Sequence, residues 1–244
     1  MKKNEWFESW FDTTYYHSLY KNRNDDEAKR FIINLVSQLN LKKNTSVLDL
    51  ACGKGRHSIT LNELGMSVTG VDLSENSIQY AKKFENNTLT FQVKDMRFPF
   101  EEDKFDYVFN LFTSFGYFDN FDDNKKVIEA IKIMLKENGT LVIDFMNSEK
   151  VVQNLVKNEI KEEDGVIFNI SREFDGDHIF KHISFEDQKE SFKFTERVQA
   201  LSFKHFKTLL IDTGFEIIHS YGDFDLNPFN VSTSDRLILI AKLK

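Results

Sequence analysis

At 244 residues the chain has the size of one folded domain with a small insertion, and its 41% hydrophobic residues and 25 phenylalanines argue against disorder. A net charge of −7 disfavours nucleic acid as the main partner, because DNA and RNA binders present a basic face. One cysteine and no apolar stretch of about 20 residues exclude a disulfide framework and disfavour a membrane span or a signal peptide, so we expect a cytoplasmic protein.

The predicted elements begin with helices between residues 5 and 40. After them, apolar segments of strand length alternate with amphipathic helices. The strands are predicted near 46–50, 67–72, 89–94, 105–111 and 139–145, and the helices near 56–65, 74–84 and 122–136, which ends before Gly139. This alternation predicts a parallel, doubly wound sheet.

The pattern changes after about residue 160. Three strands are predicted at 166–170, 179–183 and 192–195, with a hairpin turn at Asp175-Gly176-Asp177. A helix at 203–213 and strands at 215–221 and 236–243 follow. The fold class is therefore α/β: a doubly wound, mostly parallel, seven-stranded sheet with an antiparallel C-terminal edge hairpin and a small inserted antiparallel β layer.

The strand 46–50 is followed by a glycine turn, Ala51-Cys52-Gly53-Lys54-Gly55, and a helix begins at Arg56. Backbone can approach a ligand closely at the two glycines, and the helix N-terminus offers N–H groups. A second strand ends at Asp72, 23 residues after Asp49, which is close to the spacing of about 20 expected for a carboxylate that holds ribose hydroxyls. These features predict a site for a nucleotide-like cofactor.

The glycine turn departs from the pattern of dinucleotide enzymes. Ser58 stands where those enzymes use a third glycine to pack the helix on the strand, and Asp49 lies in a strand end that they usually keep apolar. An NAD(P)-dependent oxidoreductase is disfavoured, although it stays open as an alternative.

Three segments in order, D-L-A-C-G-K-G, G-V-D-L-S and V-K-D-M-R, resemble the motifs of class I methyltransferases that use S-adenosylmethionine. The resemblance covers roughly residues 41 to 146. It implies that the first motif cradles the methionine part, that Asp72 binds the ribose and that Asp95 lies beside the adenine. Ala51 stands where many relatives carry a first glycine. The cofactor contacts implied by the resemblance are Asp49, Ala51, Cys52, Gly53, Gly55, Arg56, Asp72, Leu73, Asp95, Met96, Asn110, Leu111 and Phe112.

The segment after the fourth strand, N-L-F-T-S-F-G-Y-F, bears on the methyl acceptor. It lacks the Asn/Asp-Pro-Pro-aromatic motif of enzymes that methylate exocyclic base amines. Its T-S-F-G-Y-F part resembles bacterial small-molecule methyltransferases, including amino-sugar N-methyltransferases. The resemblance favours a small-molecule acceptor.

By the same resemblance, residues 1–40 form a helical lid over the cofactor, with Tyr16, Tyr20 and Arg23 as contacts. Tyrosine offers an apolar ring and a hydroxyl, and arginine pairs with a carboxylate. The alternative is that Trp6, Trp10 and the tyrosines only fix the helix to the body of the protein. The remaining domains are a methyltransferase core, 41–156 and 201–244, and an inserted layer, 157–200, over the acceptor site.

Asp144, at the end of the fifth strand, is the candidate to touch the acceptor or its proton, although we favour an anchor for the turn at Asn147-Ser148. Cys52 is interpreted as a packing residue. His178 and His182 have metal-pair spacing only on a helix, and their segment is predicted to be a strand, where four residues span about 13 Å. We predict no metal, and interpret the carboxylates before and within the third predicted helix as its N-terminal turn, namely Asp119, Asp122 and Asp123.

Together these features predict an S-adenosylmethionine-dependent methyltransferase that N- or O-methylates a small molecule by direct in-line transfer. Three alternatives stay open: an RNA-modifying methyltransferase, an NAD(P)-dependent oxidoreductase and a cofactor-binding module without catalysis. An exposed strand edge in the inserted layer is a place where two copies can pair, so a homodimer is an expectation, with no nucleic acid and no membrane partner.

Overall fold

The computed structural model describes residues 10–11, 13–21, 25–112 and 114–244. The α-helices of this part are α1 (Thr14–Leu19), α2 (Asp25–Gln38), α3 (Arg56–Glu63), α4 (Glu75–Ala81, extended by a 3₁₀ turn, Lys82–Phe84), α5 (Phe121–Met134), α6 (Ser148–Gln153) and α7 (Phe203–Asp212). No described helix has the length and apolar character needed to cross a membrane.

The strands form two sheets. Those of the first are β1 (Ser46–Leu50), β2 (Ser67–Asp72), β3 (Leu89–Val93), β4 (Phe105–Asn110), β5 (Leu135–Met146), β10 (Phe215–Tyr221) and β11 (Arg236–Leu243). Those of the second are β6 (Asn158–Glu163), β7 (Val166–Phe174), β8 (His178–Asp187) and β9 (Glu190–Gln199).

The first sheet has the order β10-β11-β5-β4-β1-β2-β3. Only β11 runs against its neighbours, β5 and β10, while the other pairs are parallel. Strands β2 and β3 lie on one side of β1, and the chain then crosses to place β4 on the other side. The carboxyl ends of β1 and β4 therefore lie side by side at the centre of the sheet, where open α/β sheets bind ligands. The predicted fold class is confirmed.

Two apolar clusters cover the two faces of this sheet, because side chains alternate along each strand. In β1, Val47 belongs to the cluster under α2, α3 and α4, whereas Leu48 belongs to the cluster under α5 and α7. In β4, Phe109 and Val108 divide in the same way. Each central strand is therefore packed against helices on both of its faces.

The second sheet is wholly antiparallel, in the order β6-β7-β8-β9. The prediction of three strands was incomplete, since it omitted β6, whose sequence Asn-Glu-Ile-Lys-Glu-Glu shows no apolar alternation. The missed signal is the Asp164-Gly165 turn, where both residues have positive φ, 51° and 80°. This is the conformation that Asp-Gly favours in two-residue hairpins.

The predicted boundary between the helix 122–136 and the strand 139–145 was misplaced. Helix α5 ends at Met134, and β5 begins at Leu135 with a bulge that restores pairing with β4 at Thr140. The left-handed residue there is Asn138, at φ 60°. Gly139 allows close approach, because a Cβ atom on it would come within 2.9 Å of the Lys136 carbonyl oxygen.

The N-terminal segment divides between the two sheets. Trp10 and Leu19 share a third apolar cluster with Phe168 and Phe185 of the second sheet. Helix α2, by contrast, places Phe31 and other apolar residues in the cluster beneath α3 and α4. The described apolar residues between Trp10 and Tyr20 therefore pack with the inserted sheet, while α2 packs with the core.

Candidate functional site

A cleft of about 720 Å³ lies beyond the carboxyl ends of β1, β2 and β4. Its walls come from the glycine turn after β1, the first turns of α3 and α4, the segment after β4 and residues of the N-terminal segment. Nine of the predicted cofactor residues line it: Tyr16, Tyr20, Ala51, Cys52, Gly53, Arg56, Asp72, Leu111 and Phe112.

The glycine turn adopts a left-handed backbone at Ala51, Gly53 and Gly55, with φ values of 63°, 55° and 84°. Nothing lies within 4 Å of a Cβ atom built on Gly53, so this glycine faces open space in the cleft. A Cβ atom on Gly55 would come within 2.7 Å of the Phe91 ring, so here glycine lets the helix approach the sheet. The turn therefore presents bare backbone at one glycine and close packing at the other.

Asp72 fixes the shape of this turn. Its carboxylate accepts the backbone N–H of Gly53 at 2.8 Å with one oxygen and the N–H of Ser74 at 2.8 Å with the other. The side chain also lines the cleft. Asp72 is thus placed both to organise the glycine turn and to meet a ligand.

Asp49 lies beneath the cleft instead of in its wall. It is 1% exposed and accepts the hydroxyl of Ser58 at 2.5 Å. Burial, and then the nearby charge of Asp72, raise its pKa to about 6 against the opposing effect of Ser58. Ser58 stands where dinucleotide enzymes use a glycine, and here its hydroxyl serves as the hydrogen-bond partner of Asp49.

The structure does not bring every predicted cofactor residue into the cleft wall. Asp95 is bound to the guanidinium of Arg97 at 2.6 Å, and Met96 packs against the core. Asn110 is fully buried and donates to the Leu50 carbonyl at 2.9 Å, while its Oδ1 atom is buried without a partner. Gly55 and Leu73 are also outside the residues that line the cleft, and Arg23 lies outside the described residues.

Aromatic rings close the cleft from the side of the inserted sheet. Phe11 lies 4.8 Å from Tyr16 and 5.6 Å from Tyr117 between ring centroids. Tyr20 donates its hydroxyl to Glu196 of β9 at 2.7 Å and accepts from the Lys181 ammonium of β8 at 2.6 Å. Tyr16 and Tyr20 therefore pack with the inserted sheet and line the same cleft as the glycine turn.

Several residues that the sequence prediction did not assign line the cleft as well. They include Phe11, Lys54, Ser74, Tyr80, Ser114 and Tyr117. Tyr117 stands in the T-S-F-G-Y-F segment, so the resemblance of that segment to known enzymes was an available signal. Phe11 had no such signal, because it reaches the cleft through a contact with a distant part of the chain.

His57, in the first turn of α3, is buried in the cleft wall. Burial, followed by the charge of Arg56, lowers its pKa to about 3. The imidazole is therefore neutral near pH 7. Arg56 itself lies over the ring of Phe112, 5.2 Å from the centroid.

Asp144 is 1% exposed and takes part in an ion pair with Arg236 at 2.8 Å. It also accepts the backbone N–H of Phe112 at 3.0 Å. Burial raises its pKa, against the opposing charge of Arg236. The Asn147 turn is instead held by its own side chain, which caps α6 and binds the Ser234 carbonyl, so the expected anchor role of Asp144 at that turn was wrong.

The residues interpreted as structural, apart from Asp119, lie where that interpretation places them. Cys52 is buried, which raises the pKa of its thiol, and both His178 and His182 lie on strand β8. Asp122 and Asp123 lie in the first turn of α5, which Asn120 caps. Asp119 precedes this turn and pairs with Arg197, so its predicted place in the turn was wrong. Among the described residues, no group of three or more His, Cys, Asp or Glu side chains is placed to hold a metal ion.

Comparison with known proteins gives a family match and a relative that covers most of the chain. A family model described as a methyltransferase domain matches residues 41–192. A glycine/sarcosine N-methyltransferase of Aphanothece halophytica is 28% identical over 255 residues, which cover 96% of this chain and 87% of the relative.

Solved structures share the fold. An S-adenosylmethionine-dependent methyltransferase from Clostridium acetobutylicum superposes with a TM-score of 0.79 at 24% identity, covering 94% of this chain and 96% of that one. The amino pentose methyltransferase CalS10 from Micromonospora echinaspora, solved with S-adenosylmethionine bound, gives a TM-score of 0.70 at 17% identity, covering 95% and 98%.

Proposed function

The chain belongs to the methyltransferase domain family, and we propose that it transfers the methyl group of S-adenosylmethionine to the amine nitrogen of a small molecule. The observation that carries the proposal is a single cleft with a glycine turn and Asp72 on one side and the rings of Phe11, Tyr16 and Tyr117 on the other. The first side suits the nucleoside of the cofactor. The second suits the cationic groups of the reaction, because ring faces attract cations.

The cofactor residues take distinct roles in this proposal. Asp72 binds the ribose hydroxyls, and bare backbone at Gly53 allows the methionine part to approach. Arg56 pairs with the methionine carboxylate, since a guanidinium matches its geometry. Asp49 supports the turn from below, Asp95 lies towards the adenine, and Tyr16 and Tyr20 cover the bound molecule.

The remaining cofactor residues support these contacts. Gly55 sets the start of α3, while the others shape the base of the site from the ends of β2, β3 and β4: Leu73, Met96, Asn110 and Leu111. Residues 1–40, with Arg23, and the inserted layer 157–200 enclose the acceptor against the core, 41–156 and 201–244.

Transfer is an in-line displacement. The amine lone pair forms the C–N bond as the C–S bond breaks, the sulfur keeps the bonding pair as a neutral thioether, and the amine proton leaves to water. Holding nucleophile and methyl carbon about 3–3.5 Å apart supplies a large part of the rate enhancement. The enzyme's task is therefore to position two molecules in one cleft.

His57 lines the cleft but is not suited to take a proton from a hydroxyl acceptor, and this supports an amine acceptor. A hydroxyl acceptor needs a group that takes its proton in the transition state, and an imidazole with a pKa of about 3 is a poor base near pH 7. An amine is nucleophilic once it is neutral in solution. The relationship to a glycine/sarcosine N-methyltransferase supports the same acceptor class.

Matched acceptor pairs test this proposal. The purified protein is titrated with S-adenosylhomocysteine by calorimetry, with NAD⁺ and NADP⁺ as controls, and then assayed for S-adenosylhomocysteine release. The acceptors are glycine against glycolate, and 2-aminoethanol against ethylene glycol. We expect release with the amines only. Release with the hydroxyl members alone would indicate O-methylation, and binding of a nicotinamide dinucleotide alone would contradict the cofactor assignment.

We propose that the protein is cytoplasmic. We also propose that two copies pair through the exposed edge strand β6, where Ile160 is 74% exposed. Light scattering measures the dimer, and Ile160→Lys is expected to dissociate it. Given a net charge of −7, we expect no salt-dependent binding of RNA.

A further inference from the structure

The carboxylate of Asp144 links the C-terminal strand to the cofactor cleft without lining the cleft itself. Its Oδ1 atom accepts the Nε–H of Arg236 at 2.8 Å and forms an ion pair with Nη2 of the same guanidinium, also at 2.8 Å. Its Oδ2 atom accepts the backbone N–H of Phe112 at 3.0 Å. A carboxylate that is 1% exposed thus uses both oxygens, one towards β11 and one towards the turn after β4.

Phe112 needs such an anchor because of its backbone conformation. Its φ is 72°, in the left-handed region that bulky residues rarely adopt. The hydrogen bond from its N–H to Asp144 holds this conformation, and the conformation in turn directs the ring into the cleft. The guanidinium of Arg56 then lies over that ring, 5.2 Å from its centroid.

Arg236 is fixed from a second direction. It begins β11 and lies over the ring of Phe224, 5.5 Å from the centroid. Phe224 packs in turn on Phe31 of α2, with ring centroids 4.6 Å apart. Arg236 is therefore held by the core of the protein, and Asp144, which is bound to Arg236, fixes the backbone of Phe112 relative to that core.

We propose that Asp144 and Arg236 are positioning residues for the cofactor: they hold Phe112 in its left-handed turn and, through the Phe112 ring, hold Arg56 where the cofactor binds. This inference rests on the proposed function, since Arg56 is assigned there to the methionine carboxylate. It changes the expected role of Asp144, because the carboxylate acts through Phe112 and not on the acceptor.

The chain offers a matched control at the opposite end of β4. Asp106 also accepts a backbone N–H, that of Ser46 at 2.9 Å, and pairs with a basic side chain, Lys136, at 2.9 Å. It lies at the start of the strand, away from the cleft. Asp106→Ala removes the same kinds of contact as Asp144→Ala without touching the Phe112 turn.

The experiment compares these variants by calorimetry with S-adenosylhomocysteine and by steady-state kinetics. We expect Asp144→Ala to weaken binding at least tenfold and to raise KM for S-adenosylmethionine at least tenfold, with kcat reduced less than threefold. Asp106→Ala is expected to keep KM within twofold of wild type. The double variant Asp144→Asn with Arg236→Gln replaces the ion pair by an amide pair and is expected to recover KM to within threefold.

Hydrogen exchange of the cofactor-free protein separates this inference from the proposed function. Asp144→Ala is expected to speed exchange in the peptide that contains Phe112, whereas Asp106→Ala is not. If Asp144→Ala fails to fold, Arg236→Gln, at a side chain that is 19% exposed, gives the same comparison. Unchanged exchange and unchanged affinity in the folded variant would overturn the positioning role alone, while a wild-type protein that does not bind S-adenosylhomocysteine would overturn the proposed function and this inference together.

Discussion

The hydroxyl of Tyr20 donates to the carboxylate of Glu196 at 2.7 Å although 176 residues separate them in sequence. The same carboxylate accepts the indole N–H of Trp10 at 2.7 Å and lies 4.0 Å from the Lys181 ammonium. One glutamate of β9 therefore ties the N-terminal segment to the inserted sheet, and Tyr20 reaches the cleft from that joint.

Glu196→Ala is expected to loosen this joint. The change leaves two donors without their acceptor in a largely buried place, where a lost hydrogen bond costs about 1–3 kcal/mol. We expect faster hydrogen exchange in residues 13–21 and weaker binding of S-adenosylhomocysteine. Glu186→Ala, at an exposed glutamate of the adjacent strand, is the control and is expected to change neither. Equal exchange in the two variants would contradict the assignment of Glu196 as the link.

Asp72→Ala is expected to weaken cofactor binding by about 1–3 kcal/mol, roughly 5- to 150-fold, because it removes the predicted ribose contacts and two bonds that shape the glycine turn. Calorimetry with S-adenosylhomocysteine measures the loss. Asp175→Ala is the matched control, since Asp175 also accepts two backbone N–H groups, those of Asp177 and His178, in the turn between β7 and β8. Wild-type affinity in Asp72→Ala would remove Asp72 from the site.

The parts of this site that the sequence predicts are local. Strands β1 and β2 follow from short apolar segments with an acid in one of their last two positions. The helix start at Arg56 follows from the glycine turn before it, and all these determinants lie within a few residues. Their bounds agree with the structure: β1 is Ser46–Leu50 and β2 is Ser67–Asp72.

The parts that the sequence does not predict depend on contacts between distant residues. Arg236 and Asp144 are 92 positions apart, and no spacing rule relates them. Strand β6 is polar because its edge position exposes both faces, so the alternation that predicts strands is missing. Such contacts form only through tertiary packing, and tertiary packing overrides local strand preference.

Ala51→Gly is expected to stabilise the protein by about 0.5–1 kcal/mol. Ala51 has φ 63°, a conformation that costs a residue with a Cβ atom about 1–2 kcal/mol, and the gain is reduced by the greater freedom of glycine in the unfolded chain. Urea unfolding measures the change. Ala28→Gly in α2 is the control of opposite sign, because glycine inside a helix costs about 1 kcal/mol. A loss of stability in both variants would contradict backbone strain at Ala51.

Between pH 4 and pH 6, the contributions of Asp49 and His57 to the free energy of unfolding are expected to change in opposite directions. The pKa of Asp49 rises on folding from 3.8 to about 6, so its contribution to stability is present below pH 3.8 and is lost as the pH rises through 6. The pKa of His57 falls on folding from 6.5 to about 3, so its contribution is present above pH 6.5 and is lost as the pH falls towards 3. Each slope approaches about 1.4 kcal/mol per pH unit, and the two have opposite signs.

Single variants should separate these slopes in urea unfolding at pH 4.5, 5.25 and 6.0 without cofactor. Asp49→Asn removes the contribution that decreases as the pH rises. The free energy of unfolding is therefore expected to rise with pH more steeply than in the wild type. His57→Gln removes the contribution that increases as the pH rises. The slope of the free energy of unfolding against pH is therefore expected to fall below that of the wild type. The double variant is expected to return towards the wild-type slope, because the two removed contributions cancel. Parallel curves for all four proteins would mean that neither group changes its pKa on folding.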